Sequence, residues 1–360
     1  MCISEYNKKL FGVALDPSDD PWTMQLKQAW MAADHANMDW LTACLDPYDA
    51  ITGSMVAVLE KHRIEPAGKF PIPTWLSPKP NPADLPYVTI KNFDDFFNSG
   101  KLLEIIGQLK LFVTQNIFPD IPVMVGIDHS ATAGVVSALS ERYGPEKLCI
   151  VVLDQHFDAI PLSVRLEGFA QTGPDYTSVM PFIPPAMPVG FNDQFSCGNF
   201  WAHLMEAGTV FPKNLIFIGI ADYPGHKETQ RNKYREKYLD FEKRGCGFFP
   251  RKRFEGQYMD GLARFLREKI NAQHVYVSLD LDVGSYNSTY AARYMDRPGI
   301  SEQNLLDIAA FIAEECRQGK FKIEGIDIME FNMHLLGIEM PDGTKDTTLA
   351  TVEKFIATLT

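Results

Sequence analysis

A chain of 360 residues with 46% hydrophobic content can bury a large core, which excludes a disordered polypeptide. Its 46 acidic residues outnumber the 34 basic ones and leave a net charge of -12, with no Lys/Arg run interleaved with aromatics. This field argues against a nucleic-acid partner and suits a small cationic substrate. The opening MCISEYNKKLFG has no apolar h-region, and no stretch approaches the roughly 18 apolar residues of a membrane span, so the expectation is a cytoplasmic protein with no membrane partner.

Short apolar runs alternate with longer amphipathic stretches. This is the pattern of βαβ units, in which a mostly parallel sheet is covered by helices on both faces, as one sizeable α/β domain or two ordinary ones. LFGVAL at 10–15 reads as the first strand. The proline-rich stretch 66–86 reads as an irregular surface excursion, because helix and strand patterns resume in the same style beyond it. A helix over 102–116 precedes a strand at 121–126 (IPVMVG), and a helix over 134–143 precedes one at 148–153 (LCIVVL). The stretch 161–196 is rich in Gly, Pro and aromatics and has no periodic pattern, as active-site lids and binding loops do. Strands follow at 214–220, 247–249, 274–281 and 322–330, with helices over 259–271, 302–317 and 347–359. Cys2, Cys44, Cys149, Cys197, Cys246 and Cys316 form no C-x-x-C pair, which argues against a zinc ribbon or a disulfide framework.

In parallel sheets of this kind ligands bind beyond the carboxyl ends of the strands. Three such ends collect metal-type ligands. After LCIVVL come Asp154, His156 and Asp158, two apart, which on an extended backbone project to one side. The same spacing delivers Asp280 and Asp282 after HVYVS, and His129 follows IPVMVG just ahead of a helix. Four carboxylates in one pocket would drive one another to protonate unless cations neutralised them. An oxygen-rich set with added imidazole suits Mn²⁺ better than a thiolate-seeking metal. A lone Asp-x-Asp at a strand end is more often a cap or a turn; the D-x-H-x-D run and its coincidence with the other two ends carry the two-metal reading.

These segments match a known family. VGIDHSAT resembles the ureohydrolase signature G-G-D-H-S, LDQHFDA resembles D-A-H-x-D, and SLDLD resembles S-x-D-x-D. GIDIMEFN resembles the strand-end segment whose Glu contacts the substrate guanidinium in arginases. The resemblance to the arginase/agmatinase family runs from about residue 102 onward. It implies a single three-layer α/β/α domain over 1–360 and two divalent ions, Mn²⁺ first and Ni²⁺ second. It also implies a homo-oligomer, usually a trimer or hexamer. Carried over, His129, Asp154, Asp158 and Asp280 would bind one ion, and His156, Asp154, Asp280 and Asp282 the other. Glu330 would hold the substrate guanidinium by a charge-assisted hydrogen bond. The implied reaction is attack of a metal-bridging hydroxide on a guanidino carbon, releasing urea and an amine, with agmatine or a related compound as first choice. A formimidoyl substrate would release formamide at the same centre. The competing reading is a catalytically quiet metal-binding partner subunit.

Several residues depart from the family pattern. Gly126-Ile127 stands in place of two glycines, Gln155 replaces a small residue, and Val283 to Tyr286 replaces G-x-D-P. The proton-shuttle histidine of many relatives is replaced by Cys197 in one register, while in another His203 stands two residues from the expected place; Asp158 could relay the proton instead. The 161–196 lid would set an apolar wall at the mouth of the site, with Asp175 and Asp193 available to a cationic tail.

Overall fold

The computed structural model describes residues 6–17, 21–161, 163–164, 193–221, 223–224, 233–339 and 343–360. Its strands are β1 (Lys8–Val13), β2 (Ile64–Lys69), β3 (Ile121–Gly126), β4 (Leu148–Leu153), β5 (Leu215–Ile218), β6 (Gly247–Phe249), β7 (His274–Asp280) and β8 (Lys322–Met329). They form one eight-stranded sheet in the order β2-β1-β3-β8-β7-β4-β5-β6. The expected mostly parallel sheet is parallel at every pairing among these strands.

Period-two alternation splits the interior into two cores. Phe11, Met124, Ile150, Val152 and Phe217 face one side, packed beneath the helices Pro21–Ala32, Ile90–Asn98, Lys101–Phe112, Thr132–Tyr143, Phe200–Glu206 and Lys233–Lys243. Leu10, Val123, Val125, Cys149, Val151, Ile216 and Ile218 face the other, beneath Pro47–Ser54, Val56–Lys61, Met259–Lys269, Glu302–Arg317 and Thr348–Leu359. Every residue of β3, β4 and β5 is buried, so each reads as a continuous apolar run, as strands covered on both faces do. Three layers follow: helices, sheet, helices.

One expected element needs correction. Within the proline-rich stretch 66–86, Pro66 to Lys69 belongs to β2, which pairs with β1 (Leu10 opposite Pro66), and Thr74–Leu76 and Pro82–Tyr87 form short 3-10 helices. Proline lacks a donor and is tolerated in a sheet only where that donor is not needed, and β2 is the edge strand. The pairing also slips between Leu10 and Gly12, which blurs any alternation.

No described helix is long and apolar enough to cross a membrane. The described cysteines, Cys44, Cys149, Cys197, Cys246 and Cys316, are all free. Cys149 lies fully buried in β4, and burial pushes its thiol up to about 12.

Candidate metal centre

The strand order places β3, β8, β7 and β4 side by side, so their carboxyl ends form one continuous rim about 4.8 Å per strand. His129 follows β3, Glu330 follows β8, Asp280 ends β7 with Asp282 in the turn just after it, and Asp154, His156 and Asp158 follow β4. Side chains far apart in sequence therefore meet because their strands are neighbours.

Two groups of potential ligands result. His129, Asp154, Asp158 and Asp280 each bring one ligand atom to within 4.8 Å of the others, and so do Asp154, His156 and Asp282. Asp154 is common to both. The first group is the set expected for one ion; the second lacks Asp280, which sits with the first group only. His129 Nδ1 faces Asp280 Oδ2 at 3.1 Å, Asp158 Oδ2 at 3.3 Å and Asp154 Oδ2 at 3.4 Å. His156 Nδ1 faces Asp282 Oδ2 at 2.6 Å.

The backbone that presents these groups is not extended, which corrects the alternation argument. Residues 154–158 run through bends, and Asp158 adopts a φ of +44°, a left-handed conformation uncommon outside glycine. The bends are locked from outside: Gln155 N–H donates to Asp282 Oδ1 (3.0 Å), and Trp201 N–H donates to Asp158 O (3.1 Å). Phe157 turns the opposite way into a cage of Tyr238, Phe217, Phe248 and Phe241, with ring centroids 4.6–5.0 Å away. At the other end Asp280 caps a short 3-10 turn, its Oδ1 accepting from Asp282 N–H at 2.9 Å, so Asp280 and Asp282 face different groups.

The donors fit divalent cations. Asp154 Oδ2 is buried and makes no hydrogen bond, an orphaned acceptor within a fully buried carboxylate. Burial, with Asp158 and Asp282 adding repulsion, pushes Asp154 up to about 7; burial, Asp282 and Asp154 push Asp280 well up in the same way. Burial opposes charge on His129, yet Asp154, Asp158 and Asp280 hold its pKa well above the usual histidine range. Without cations the site must take up protons to tolerate its own charge.

Both imidazoles present Nδ1 to the carboxylates and anchor Nε2 elsewhere. His129 Nε2–H donates to Ser278 Oγ at 2.9 Å, whose hydroxyl donates to Asp327 Oδ1 at 2.6 Å. Asp327 is fully buried and also accepts from Thr132 and Tyr276. His156 Nε2 lies 3.5 Å from Asp296 Oδ1. Such partners orient a ligating ring and fix its tautomer. Ser278→Ala is therefore expected to weaken Mn²⁺ affinity by about 10–100-fold. Competition against a fluorescent chelator measures this, and an unchanged affinity would show that the hydroxyl does not orient the ring. Ser278 and Asp327 lie within the SLDLD and GIDIMEFN segments without this role being expected of them, and Asp296 lies outside every motif. An aspartate inside a strand buried on both faces is the signal that could have found Asp327.

The remaining candidates fall out differently. Glu330 is 2% exposed, has a φ of +64°, and its Oε1 accepts from His129 N–H at 3.1 Å, which joins it to the same rim. Cys197 sits in the turn bonded to the 158–160 segment through Ile160 N–H to Gly198 O (3.3 Å). Burial, with Asp128, Glu330 and Asp158 nearby, holds the Cys197 thiol well above its usual range and therefore protonated. His203 packs against Phe195 (5.4 Å between ring centroids) on the Phe200–Glu206 helix and belongs to neither ligand group. Asp193 is exposed and accepts from Ser163 Oγ, while Asp175 and most of the 161–196 stretch lie outside the described residues.

The departures have local reasons. A Cβ on Gly126 would stand 2.7 Å from Met329 Cε and 2.8 Å from Val13 O, so only glycine lets β3 pass its neighbours there. Ile127, in contrast, fills the second core and is fully buried. Gln155 is 1% exposed, and its amide makes no hydrogen bond among the described residues.

Comparison with known proteins agrees with this geometry. A model described as the Arginase family matches residues 57–352. Proclavaminate amidinohydrolase from Streptomyces clavuligerus is 28% identical over 162 residues, 45% of this chain, and the match spans only 40% of that relative's length. Among solved structures, the Streptomyces clavuligerus enzyme matches with a TM-score of 0.55 at 18% identity, over 98% of this chain and 90% of its own. Arginase from Bacillus cereus gives 0.60 at 14% identity over 98% of each chain. Formimidoylglutamase from Bacillus subtilis gives 0.54 at 14%, over 99% of this chain and 88% of its own. At such identities the structural likeness establishes the fold.

Proposed function

The chain belongs to the arginase family, and from that premise we propose that it is a binuclear-metal hydrolase of amidine C–N bonds, acting on a small guanidino or formimidoyl compound. The observation that supports this most is the pair of ligand groups sharing Asp154. In this reading His129, Asp154, Asp158 and Asp280 would hold one divalent ion, Mn²⁺ or Ni²⁺, and Asp154, His156 and Asp282 the other, with Asp154 common to both sets. When bound, the two ions supply Lewis acidity and lower the pKa of water at the site.

The chain's own residues do the rest. Glu330 accepts the N–H groups of the amidine and orients its central carbon toward the rim. Asp158, the most exposed of the first group's carboxylates at 7%, carries the proton to the departing amine. Cys197, kept as a neutral thiol, lines the pocket and is not the shuttle; His203, turned to Phe195, is not either. Assembly into a homo-oligomer belongs to the same proposal and is read by light scattering.

Protein loaded with Mn²⁺, and in parallel with Ni²⁺, should release urea, ammonia or formamide from one member of a panel of agmatine, guanidine, guanidino acids, arginine and formimidoylglutamate. Two bound ions per chain with no turnover of any member would favour the quiet-subunit reading. That reading has one structural observation behind it: Glu330 has a cation of this chain beside it already.

A further inference from the structure

Glu330 divides its carboxylate between two settings. Oε1 accepts from His129 N–H, whereas Oε2 is buried and makes no hydrogen bond. The Arg293 Nε stands 3.7 Å from that free oxygen. Arg293 is 7% exposed, with Nη1 2.9 Å from Asp16 Oδ1 and Nη2 donating to Tyr294 OH at 2.9 Å. Its backbone is tied to the same place: Arg293 N–H donates to Glu330 O (2.9 Å), and Ala292 bridges Phe331. Asp16 is shared with Lys27, fully buried, whose Nζ lies 3.2 Å away.

A guanidinium leaves water only for carboxylates that can repay its hydration. Arg293 has two such carboxylates, and one is the group assigned above to a substrate's amidine. A second guanidinium arriving at Glu330 would meet a like charge in a site with little water to screen it. Nη1 already faces Asp16 Oδ1 at 2.9 Å, so what Arg293 offers a ligand beyond Glu330 is its charge rather than a spare donor.

We propose that Arg293 is the specificity-determining residue of this pocket: it holds the guanidinium place on Glu330, penalises substrates with a cationic tail, and favours amidines that carry their own carboxylate. The proposal rests on the reading of Glu330 as the amidine-binding group. It reverses the order of substrates expected from the sequence, setting compact guanidino or amidino acids ahead of agmatine. A carboxylate on the ligand balances Arg293; an ammonium tail adds to it.

The test is equilibrium binding, by calorimetry on Mn²⁺-loaded protein, of guanidinium ion, agmatine and 3-guanidinopropionate. The wild type should bind 3-guanidinopropionate more tightly than agmatine. R293A should gain about 10-fold or more for guanidinium and agmatine and lose about 10-fold for 3-guanidinopropionate. The gain should vanish in R293A/E330Q. R293K, which keeps the charge but not the planar fork, should lie between, and it carries the comparison if R293A does not fold. Equal agmatine and guanidinium affinities in the wild type and both Arg293 variants would overturn the proposal. Metal content measured on the same samples separates this failure from that of the parent reading, because absent ions sink the hydrolase, while the guanidinium comparison still reports on Arg293.

Discussion

Asp154→Asn should cost the protein both ions at once, because Asp154 is the side chain common to the two ligand groups. An amide keeps the shape and one acceptor oxygen but cannot supply the charge that offsets a dication. Mn²⁺ affinity should fall by more than the roughly 10–100-fold typical of residues that only orient ligands. Turnover of the best substrate should fall by about 10³–10⁴-fold, the loss of several kcal/mol of transition-state stabilisation. His203→Ala offers the contrast, since its ring packs on Phe195 and its loss should leave metal content unchanged. Elemental analysis after dialysis reads both variants. Two ions retained in Asp154→Asn would sink the shared-ligand arrangement.

The second large effect is an inverted pH dependence of stability in metal-free protein. Burial, then Asp158 and Asp282, raise Asp154 from 3.8 to about 7. Burial, then Asp282 and Asp154, raise Asp280, and three carboxylates raise His129 against the effect of its burial. A raised group keeps its proton in the folded chain at pH values where the unfolded chain has released it. Its contribution is complete below the unfolded pKa and is lost as pH climbs through the folded one. For Asp154 that window runs from about pH 4 to about pH 7, and it is worth at most about 4 kcal/mol. His129 acts with the same sign from about pH 6.5 upward. Chelator-treated protein should therefore melt at a higher temperature at pH 6 than at pH 8. Loading reverses the order, because cations bind the deprotonated ligands more tightly as pH rises. A chelator-treated protein that is equally stable at both values would contradict the protonation assigned to this cluster.

How legible the molecule is in its sequence differs from element to element. β3, β4 and β6 fall where the apolar runs place them, residue for residue, because strands covered on both faces show no alternation to confuse with solvent exposure. The helix Glu302–Arg317 also falls where expected, its start marked by a capping box between Ser301 and Asn304. β2 escapes because its proline argues against a strand, and only its edge position makes that proline harmless. The D-x-H-x-D run announces its chemistry through composition alone. Its presentation does not follow from alternation: the chain bends there, and hydrogen bonds from Trp201 and to Asp282 decide where Asp158 and Gln155 go.

By itself, then, the sequence determined a parallel α/β architecture and the identity of the carboxylates and imidazoles at the strand ends, because burial periodicity and ligand chemistry are local properties. Tertiary structure alone decided that β3, β8, β7 and β4 stand next to one another, that Asp327 steadies His129 through Ser278, and that Arg293 stands beside Glu330. Those pairings join residues with no shared local pattern, and only the order of strands in the sheet brings them within reach.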